Sequence, residues 1–472
     1  MRKQPRLRKT LLSLSLGGGL ALWLGAAALG GAGCSLSQNF NECNADTDCG
    51  PGPSGEKLYC SEGLCAIGTP KAKLCTETFP SPAPANAIPI GALVNISSGN
   101  DGQTTLAMKL AIEEMNKARI GDGDRPMVLH ICDYGKVAGD ALKSMQILAR
   151  ERGVIAVIGP TSSANVLAVA DEVRRSGIPL MSPSATSPLI SDLQPPGLFF
   201  RVVPSDAKQG PLLSKQISPT TARYAMLYVD DAYGSGLKDA FFKSFPANTP
   251  VATVAYSEKT GDQAQLQAKL QQILTAGTLD YLVAITNEFS DSVVTGLKPL
   301  GSTTKILMAD GAKNENVLAL ASTADMATKT HLARISGTAP TVEGSNGLYS
   351  AFLSAFAGRF QQNAASSIYN AFSYDAAYAI GIALAGAGND ATPARIVEML
   401  LRINGGAKMM SVGGTQYLNA KRAIQAGAGL TLSGTTGGIG FDTHGDRLSA
   451  LFEKWTINTT VTPPRFDSTP LQ

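Results

Sequence analysis

The chain has 472 residues, more than one ordinary hydrophobic core accommodates, so two or more domains are expected. Charged residues make up 16% and apolar residues 44% of the sequence, which excludes an intrinsically disordered chain. The net charge is only +3 and no basic cluster with interleaved aromatic residues occurs, which argues against nucleic acid as a partner.

The first 33 residues have the pattern of an export signal. Five basic residues within the first nine precede an apolar stretch, 11–29, and three small residues lead to Cys34. Small residues directly before a cysteine resemble a bacterial lipobox, in which the cysteine receives a diacylglycerol. We therefore interpret 1–33 as a lipoprotein signal peptide and Cys34 as the lipidation site. A secretory signal cut nearby and an uncleaved anchor helix are the alternatives. No other stretch is long and apolar enough to span a bilayer.

Segment 34–87 contains most of the cysteines. In an exported protein, five cysteines within 33 residues rich in Asp, Gly, Pro and Ser predict a disulfide-linked segment, because such residues cannot bury a core. Five is an odd number, and Cys132 supplies a sixth partner, so we expect a Cys75–Cys132 bridge. A zinc site is the alternative, although no histidine lies nearby. The five cysteines are Cys43, Cys49, Cys60, Cys65 and Cys75. A Pro/Ala linker, 79–87, follows.

From residue 88 onward, short apolar runs alternate with helical periodicity. Strands are predicted at 88–94 and 127–131, with helices at 103–116 and 141–150. A second series has strands at 224–229, 251–256, 281–285 and 305–308, with intervening helices. Alternating β and α units predict a parallel sheet with right-handed crossovers. Because the series is interrupted near 201–204, we predict an α/β protein of two Rossmann-like lobes.

The most informative stretch is 154–203. A β-branched run ends at Gly159-Pro160 in a Thr-Ser-Ser turn, and an amphipathic helix with apolar residues at i, i+3, i+4 and i+7 follows. A second apolar run, 178–181, ends in the polar turn Ser182-Pro183-Ser184-Ala185-Thr186. Ligands of open α/β sheets bind where strands end, and a helix N-terminus offers unpaired N–H groups to an anion. The stretch therefore predicts a small-molecule site.

The same stretch resembles type I periplasmic binding proteins, in particular the leucine/isoleucine/valine-binding branch. The matching residues are Gly159, Ser162, Ser163, Ser182, Pro183, Ala185, Thr186, Pro188, Phe200 and Arg201. The resemblance extends over about 88–460. It implies two lobes joined by three chain crossings that act as a hinge, which we place near residues 203, 337 and 446. The expected domains are 88–203 (lobe 1), 204–337 (lobe 2), 338–446 (return to lobe 1) and 447–472 (partly lobe 2).

Seven residues are candidates for ligand binding. Ser163 begins the helix of the first segment, where its hydroxyl and the free N–H groups suit a carboxylate; a simple N-cap is the alternative. The resemblance implies that Ser184 and Thr186 grip the ligand's ammonium and carboxylate. It also implies that Tyr233 closes over the ligand and that Asp310 pairs with its ammonium, although surface packing and a turn would equally explain these two. Asn287 and Asn100 stand where the branch often has aromatic residues, so we expect a pocket too polar for leucine.

These features predict an extracytoplasmic solute-binding lipoprotein. We expect it to bind an amino acid or related zwitterion between two closing lobes, without a cofactor, and to serve an ABC permease as partner. A ligand-sensing or structural cell-envelope lipoprotein is the alternative. An enzyme is not expected, because the three histidines are isolated and the sequence has no P-loop, HExxH or GxSxG motif.

Overall fold

The chain forms two α/β lobes preceded by a small disulfide-linked segment. The computed structural model describes residues 42–52, 58–61, 64–67, 71–96, 101–135, 137, 139–258, 263–287, 290–343 and 347–471. The predicted signal peptide 1–33, Cys34 and Asn100 lie outside the described residues. Each lobe is built around a mostly parallel sheet, so the predicted fold class is confirmed.

The N-terminal segment contains an antiparallel hairpin of strands β1 (Leu58–Ser61) and β2 (Leu64–Ile67), followed by a helical turn, α1 (Lys71–Leu74). Disulfides join Cys43 to Cys60 and Cys49 to Cys65, and a third joins Cys75 to Cys132. The segment is therefore disulfide-linked, as expected. Sulfur atoms of Cys43, Cys49 and Cys65 lie within 4.8 Å of one another because two bridges are adjacent, and bonded sulfurs do not favour the zinc alternative.

Lobe 1 begins with a six-stranded sheet in the order β3-β5-β4-β6-β7-β8, parallel except for β3. Its strands are β3 (Glu77–Phe79), β4 (Ile88–Val94), β5 (Met127–Asp133), β6 (Val157–Ile158), β7 (Leu180–Ser182) and β8 (Phe199–Arg201). Its first helices are α2 (Gly102–Gly121), α3 (Asp140–Gln146), which continues as a π-helical turn (Ile147–Glu151), and α4 (Ser163–Ser176). The apolar stripe predicted for α4 is buried against the sheet.

Lobe 2 follows with a seven-stranded sheet in the order β10-β9-β11-β12-β13-β17-β18. Its first strands are β9 (Tyr224–Val229), β10 (Thr253–Tyr256), β11 (Tyr281–Ile285), β12 (Lys305–Met308) and β13 (Ile335–Pro340). Its helices are α5 (Asp206–Ser214), α6 (Ala232–Ser244), α7 (Gln263–Leu274), α8 (Ser290–Gly296), α9 (Glu315–Thr323) and α10 (Met326–Leu332).

The chain then returns to lobe 1 and finally re-enters lobe 2. The returning helices are α11 (Leu348–Phe360), α12 (Ile368–Ala387), α13 (Pro393–Leu400) and α14 (Tyr417–Gln425). A separate sheet contains β14 (Lys408–Ser411), β15 (Leu430–Gly434) and β16 (Gly437–Ile439). The last strands, β17 (Phe452–Asn458) and β18 (Arg465–Leu471), add antiparallel to the lobe 2 sheet. Among the described residues, no helix is long and apolar enough to cross a membrane.

The chain passes between the lobes after β8, after β13 and before β17. The second crossing differs from the expected boundary at residue 337, which lies inside β13. Gly337 serves packing instead of a change of direction: a Cβ there would come within 2.4 Å of the Trp455 ring. In the final segment, Arg447 still bonds to Thr436 of lobe 1, whereas β17 and β18 belong to the lobe 2 sheet.

Candidate ligand-binding site

A cleft with a cavity of about 250 Å³ lies between the lobes, where the loops that follow β6, β7, β11 and β12 meet. Of the seven predicted residues, six line it: Ser163, Ser184 and Thr186 from lobe 1, and Tyr233, Asn287 and Asp310 from lobe 2. The seventh, Asn100, lies outside the described residues. The sequence prediction therefore selected side chains that the fold brings together, and their binding roles stay a prediction.

Ser163 occupies the first turn of α4 without serving as its cap. The N-cap is Ser162, whose side chain accepts a hydrogen bond from the Asn165 N–H. The Ser163 hydroxyl instead accepts a bond of 3.2 Å from the Ser187 N–H, and so links the two hydroxyl-rich loops. The simple N-cap alternative for Ser163 is wrong. Its hydroxyl hydrogen is left to donate toward the cleft beside the positive end of the α4 dipole.

The loop after β7 is held in place from beneath by Arg201. This guanidinium is fully buried and donates to the backbone oxygens of Thr186 and Ser187 at 2.9 and 2.8 Å. It also forms an ion pair with Asp446 at 2.6 Å. Burial opposes ionisation of Asp446, but Arg201 and the Ser191 hydroxyl outweigh it and hold the pKa of Asp446 below its usual value. The loop that carries Ser184 and Thr186 is therefore rigidly positioned.

Asp310 lies at the centre of the lobe 2 wall, directly after β12. Its Oδ1 accepts hydrogen bonds from the Tyr233 hydroxyl at 2.8 Å and from Gln209 at 3.0 Å. Its Oδ2 accepts a bond from the Tyr369 hydroxyl, which belongs to lobe 1. Burial and the adjacent Asp310 carboxylate raise the pKa of both tyrosines, so both remain protonated donors. Asp310 thus connects the two lobes across the cleft.

A second carboxylate, Asp206, lies fully buried beside this wall. Its N–H donates to the Thr186 carbonyl, which places the first turn of α5 against the loop after β7. Neither carboxylate oxygen has a hydrogen-bond partner among the described residues, and the same holds for Thr186 Oγ1 and Gln209 Oε1. Burial first, and the nearby Asp310 carboxylate second, raise the pKa of Asp206 well above its usual value, although the adjacent Thr186 hydroxyl and the Arg201 charge lower it. A buried acid without a partner is costly, so this cluster favours a cation.

The lobes also touch between the loop after β7 and α6. The Ser187 hydroxyl of lobe 1 donates to the Ala232 carbonyl of lobe 2 at 2.7 Å. Gly236 of α6 packs so closely that a Cβ would lie 2.5 Å from Ser187 Oγ. Asp231 caps α6 by accepting a hydrogen bond from the Gly234 N–H at 2.9 Å. These contacts show a closed arrangement of the two lobes.

Sequence reasoning missed several residues of the site, among them Tyr369 and Asn370, and also the buried Asp206 beside it. Asp206 follows the first crossing, and its neighbourhood was interpreted only as a lobe boundary. Tyr369 and Asn370 begin α12, whose nearly continuous apolar sequence made it look purely like core. The polar residues at the start of that helix could have indicated the site, because hydrogen-bonding side chains in a buried helix seldom lack a partner.

Comparison with known proteins identifies the family. The sequence profile of the receptor family ligand binding region matches residues 103–460. The chain belongs to this family. Its members bind ligands, and the fold is that of type I periplasmic binding proteins, as the resemblance implied.

Solved structures of this fold align along most of the chain. The branched-chain amino acid transporter substrate binding protein from Streptococcus pneumoniae, in complex with isoleucine, has 20% identity and a TM-score of 0.62, covering 81% of this chain and 100% of that one. A solute binding protein of an ABC transporter from Rhodopseudomonas palustris, in complex with 3,4-dihydroxy benzoic acid, has 14% identity and a TM-score of 0.62, covering 82% and 96%. At such identities the likeness shows the fold alone.

Curated relatives match over shorter segments. Glutamate receptor 2.5 of Arabidopsis thaliana is 26% identical over 179 residues, which is 38% of this chain and 19% of the receptor. Leu/Ile/Val-binding protein homolog 3 of Brucella melitensis is 25% identical over 179 residues, 37% of this chain and 47% of that protein. The matches thus span less than half the length of either relative.

Proposed function

We propose that this protein is an extracytoplasmic solute-binding lipoprotein that holds an amino acid or related zwitterion between its two lobes and delivers it to an ABC permease. The observation that carries the proposal is the pairing of opposite chemistries in one cleft. Hydroxyls and the N-terminus of α4 line one wall, and the Asp310 carboxylate lines the other, with the Asp206 carboxylate fully buried nearby. A zwitterion satisfies both ends at once.

The ligand's carboxylate binds at the α4 end in this proposal. The Ser163 hydroxyl donates to it, and the helix dipole stabilises the negative charge. The ligand's ammonium binds at the opposite end, where it supplies the donors that Asp206 and Thr186 lack. An aromatic acid such as those bound by the Rhodopseudomonas proteins has a carboxylate but no ammonium, so the buried acids favour an amino acid.

Closure is the functional event that the proposal requires. Because ligand groups contact both lobes, binding favours the closed arrangement over an open one. A permease then recognises the closed form. We propose that Cys34 carries the lipid anchor and that the protein works on the periplasmic side of the cell envelope. The alternative is a ligand-sensing or structural envelope protein without transport, which the likeness to a segment of plant glutamate receptors keeps open.

The test is a ligand screen by thermal unfolding of residues 35–472, which retain Cys75 and β3. The screen contains the amino acids, aromatic acids and sugars at a fixed concentration. A ligand present at 100 times its Kd stabilises the protein by about 2.7 kcal/mol, which thermal unfolding resolves. We expect amino acids to raise the Tm and aromatic acids to leave it unchanged.

Two variants locate the site. Ser163→Ala and Asp310→Asn should abolish the ligand-induced shift, whereas Ser354→Ala, on the exposed face of α11, should keep it. If no compound shifts the Tm, the ligand-binding proposal is overturned in favour of a structural role. A permease that co-purifies with the protein can then be deleted and uptake of the bound amino acid measured. If the amino acid binds but uptake is unchanged by the deletion, the sensing alternative is favoured.

A further inference from the structure

We infer that the amino acid bound in this cleft has a side chain that donates hydrogen bonds, an amide or hydroxyl, and that an aliphatic amino acid is rejected. The inference rests on the proposed function, since it concerns the ligand's side chain and takes its zwitterionic part as given. Two independent observations carry it: the composition of the cleft wall and an unpartnered oxygen of Asn370.

The cleft wall offers an aliphatic side chain no aliphatic residue to pack against. Among the described residues that line it, none is Ala, Val, Leu, Ile, Met, Phe or Trp, and the aromatic surface comes from three tyrosines. Beyond the side chains assigned to the ligand's ammonium and carboxylate, the lining contains three charged residues, Asp101, Lys313 and Glu315, of which Lys313 pairs with Glu453, and otherwise mainly amides and hydroxyls. These amides and hydroxyls include Asn95, Gln103, Thr104, Asn287, Asn314, Asn316, Ser366, Ser367 and Asn370.

Asn370 presents a fixed and unsatisfied acceptor in this wall. Its amide nitrogen donates to the Ala364 carbonyl and to Gln103 Oε1, both at 3.0 Å. A backbone carbonyl only accepts, so the amide nitrogen must face it, and this fixes the orientation of the Asn370 side chain. Its Oδ1 has no hydrogen-bond partner among the described residues, and the side chain is fully buried. A donor from the ligand satisfies this oxygen.

The neighbours of Asn370 hold it ready for that contact. Gln103 Oε1 accepts from Asn370 and also from the Ser366 hydroxyl at 2.6 Å, so its acceptor is already used. The three side chains come from the starts of α2 and α12 and form one network on lobe 1. An aliphatic ligand leaves Asn370 Oδ1 desolvated and without a hydrogen bond, whereas an amide or hydroxyl of the ligand donates to it.

Isosteric pairs of amino acids test the inference on the wild-type protein. Threonine and valine have the same shape, as do asparagine and leucine, and the pairs differ only in hydrogen-bonding groups. Isothermal titration calorimetry of residues 35–472 should show the polar member of a bound pair binding at least about 100-fold more tightly than its aliphatic partner. Aliphatic members that bind as tightly as, or more tightly than, their polar partners overturn the inference while leaving the proposed function standing. Absence of binding by every amino acid overturns both.

Asn370→Leu tests the named residue. It should reduce the preference for asparagine over leucine at least tenfold and leave the contacts to the ligand's carboxylate and ammonium in place. Asn419→Leu, the same exchange on the exposed face of α14, is the matched control and should keep the wild-type preference. An unchanged preference in folded Asn370→Leu overturns the role of Asn370. If that variant does not fold, Ser366→Ala, which loosens Gln103 beside Asn370, replaces it with the same expected direction.

Discussion

Replacing Asp206 by asparagine should stabilise the protein without ligand and weaken ligand binding at the same time. The buried carboxylate has no hydrogen-bond partner among the described residues, so its removal relieves a desolvation cost of about 1–3 kcal/mol. Each kcal/mol moves the Tm of a lobe of this size by about 2–4 °C, so an increase of several degrees is expected at neutral pH.

The effect should depend on pH in a defined direction. The folded-state pKa of Asp206 is raised, so its favourable contribution is complete below the unfolded-state pKa and is lost as the pH rises through the folded-state pKa. The Tm advantage of Asp206→Asn should therefore vanish in acid and grow toward neutral pH. With ligand, a lost charge-assisted bond of about 1.5–3 kcal/mol corresponds to binding about 10–150-fold weaker.

Differential scanning calorimetry from pH 3.5 to 8 and calorimetric titration measure the two effects separately. Ser205→Ala, which removes the side-chain cap of the same helix, is a useful control because it should lower the Tm at every pH. An Asp206→Asn protein that is less stable than the wild type at neutral pH, or that binds its ligand with wild-type affinity, would refute the argument that this carboxylate binds a cationic group of the ligand.

Three further predictions concern the parts that support the cleft. Gly236→Ala should weaken ligand binding about tenfold or more with little effect on the unliganded Tm, because the added Cβ would lie 2.5 Å from Ser187 only when the lobes meet. The control is Gly358→Ala, a change at a helical glycine with open space around it, which should leave binding unchanged. Equal affinities of the two variants would contradict the closure argument. Replacing both Cys75 and Cys132 by alanine should destabilise lobe 1 by about 4 kcal/mol from the 57-residue loop alone, measured by urea unfolding, and an unchanged midpoint would count against that bridge. Arg201→Met should lower the free energy of unfolding by about 3–5 kcal/mol and abolish binding, because it leaves Asp446 without its ion-pair partner. In the wild type, the stabilising contribution of Asp446 should be lost as the pH falls through its lowered pKa. Acid unfolding of Arg201→Met that differs little from that of the wild type would argue against this ion pair as a source of stability.

The sequence predicted the features that depend on local periodicity and turn chemistry. The strand at Tyr224–Val229 and the helix beginning at Ser163 follow from apolar spacing, and the structure has both. The sequence also predicted that residues at strand ends, such as Thr186 and Asp310, lie at the cleft, because parallel strands direct their carboxyl ends to one edge of the sheet.

Features that depend on tertiary packing were beyond the sequence. Gly337 resembled a point where the chain leaves lobe 2, but a tryptophan from a strand more than 100 residues later covers it. Asp206 gives no local signal, because its lack of partners appears only once α5 lies against the loop after β7. Tyr369 reaches Asp310 across the cleft, which no spacing along the chain reveals.

The attachment of the N-terminal segment has a mechanical consequence. Strand β3 adds to the edge of the lobe 1 sheet, and the Cys75–Cys132 bridge ties the preceding residues to β5 of the same sheet. The described residues around Cys75 and β3 are therefore fixed to lobe 1 and not to lobe 2. When the hinge bends, lobe 2 therefore moves relative to the point at which the N-terminal segment joins lobe 1.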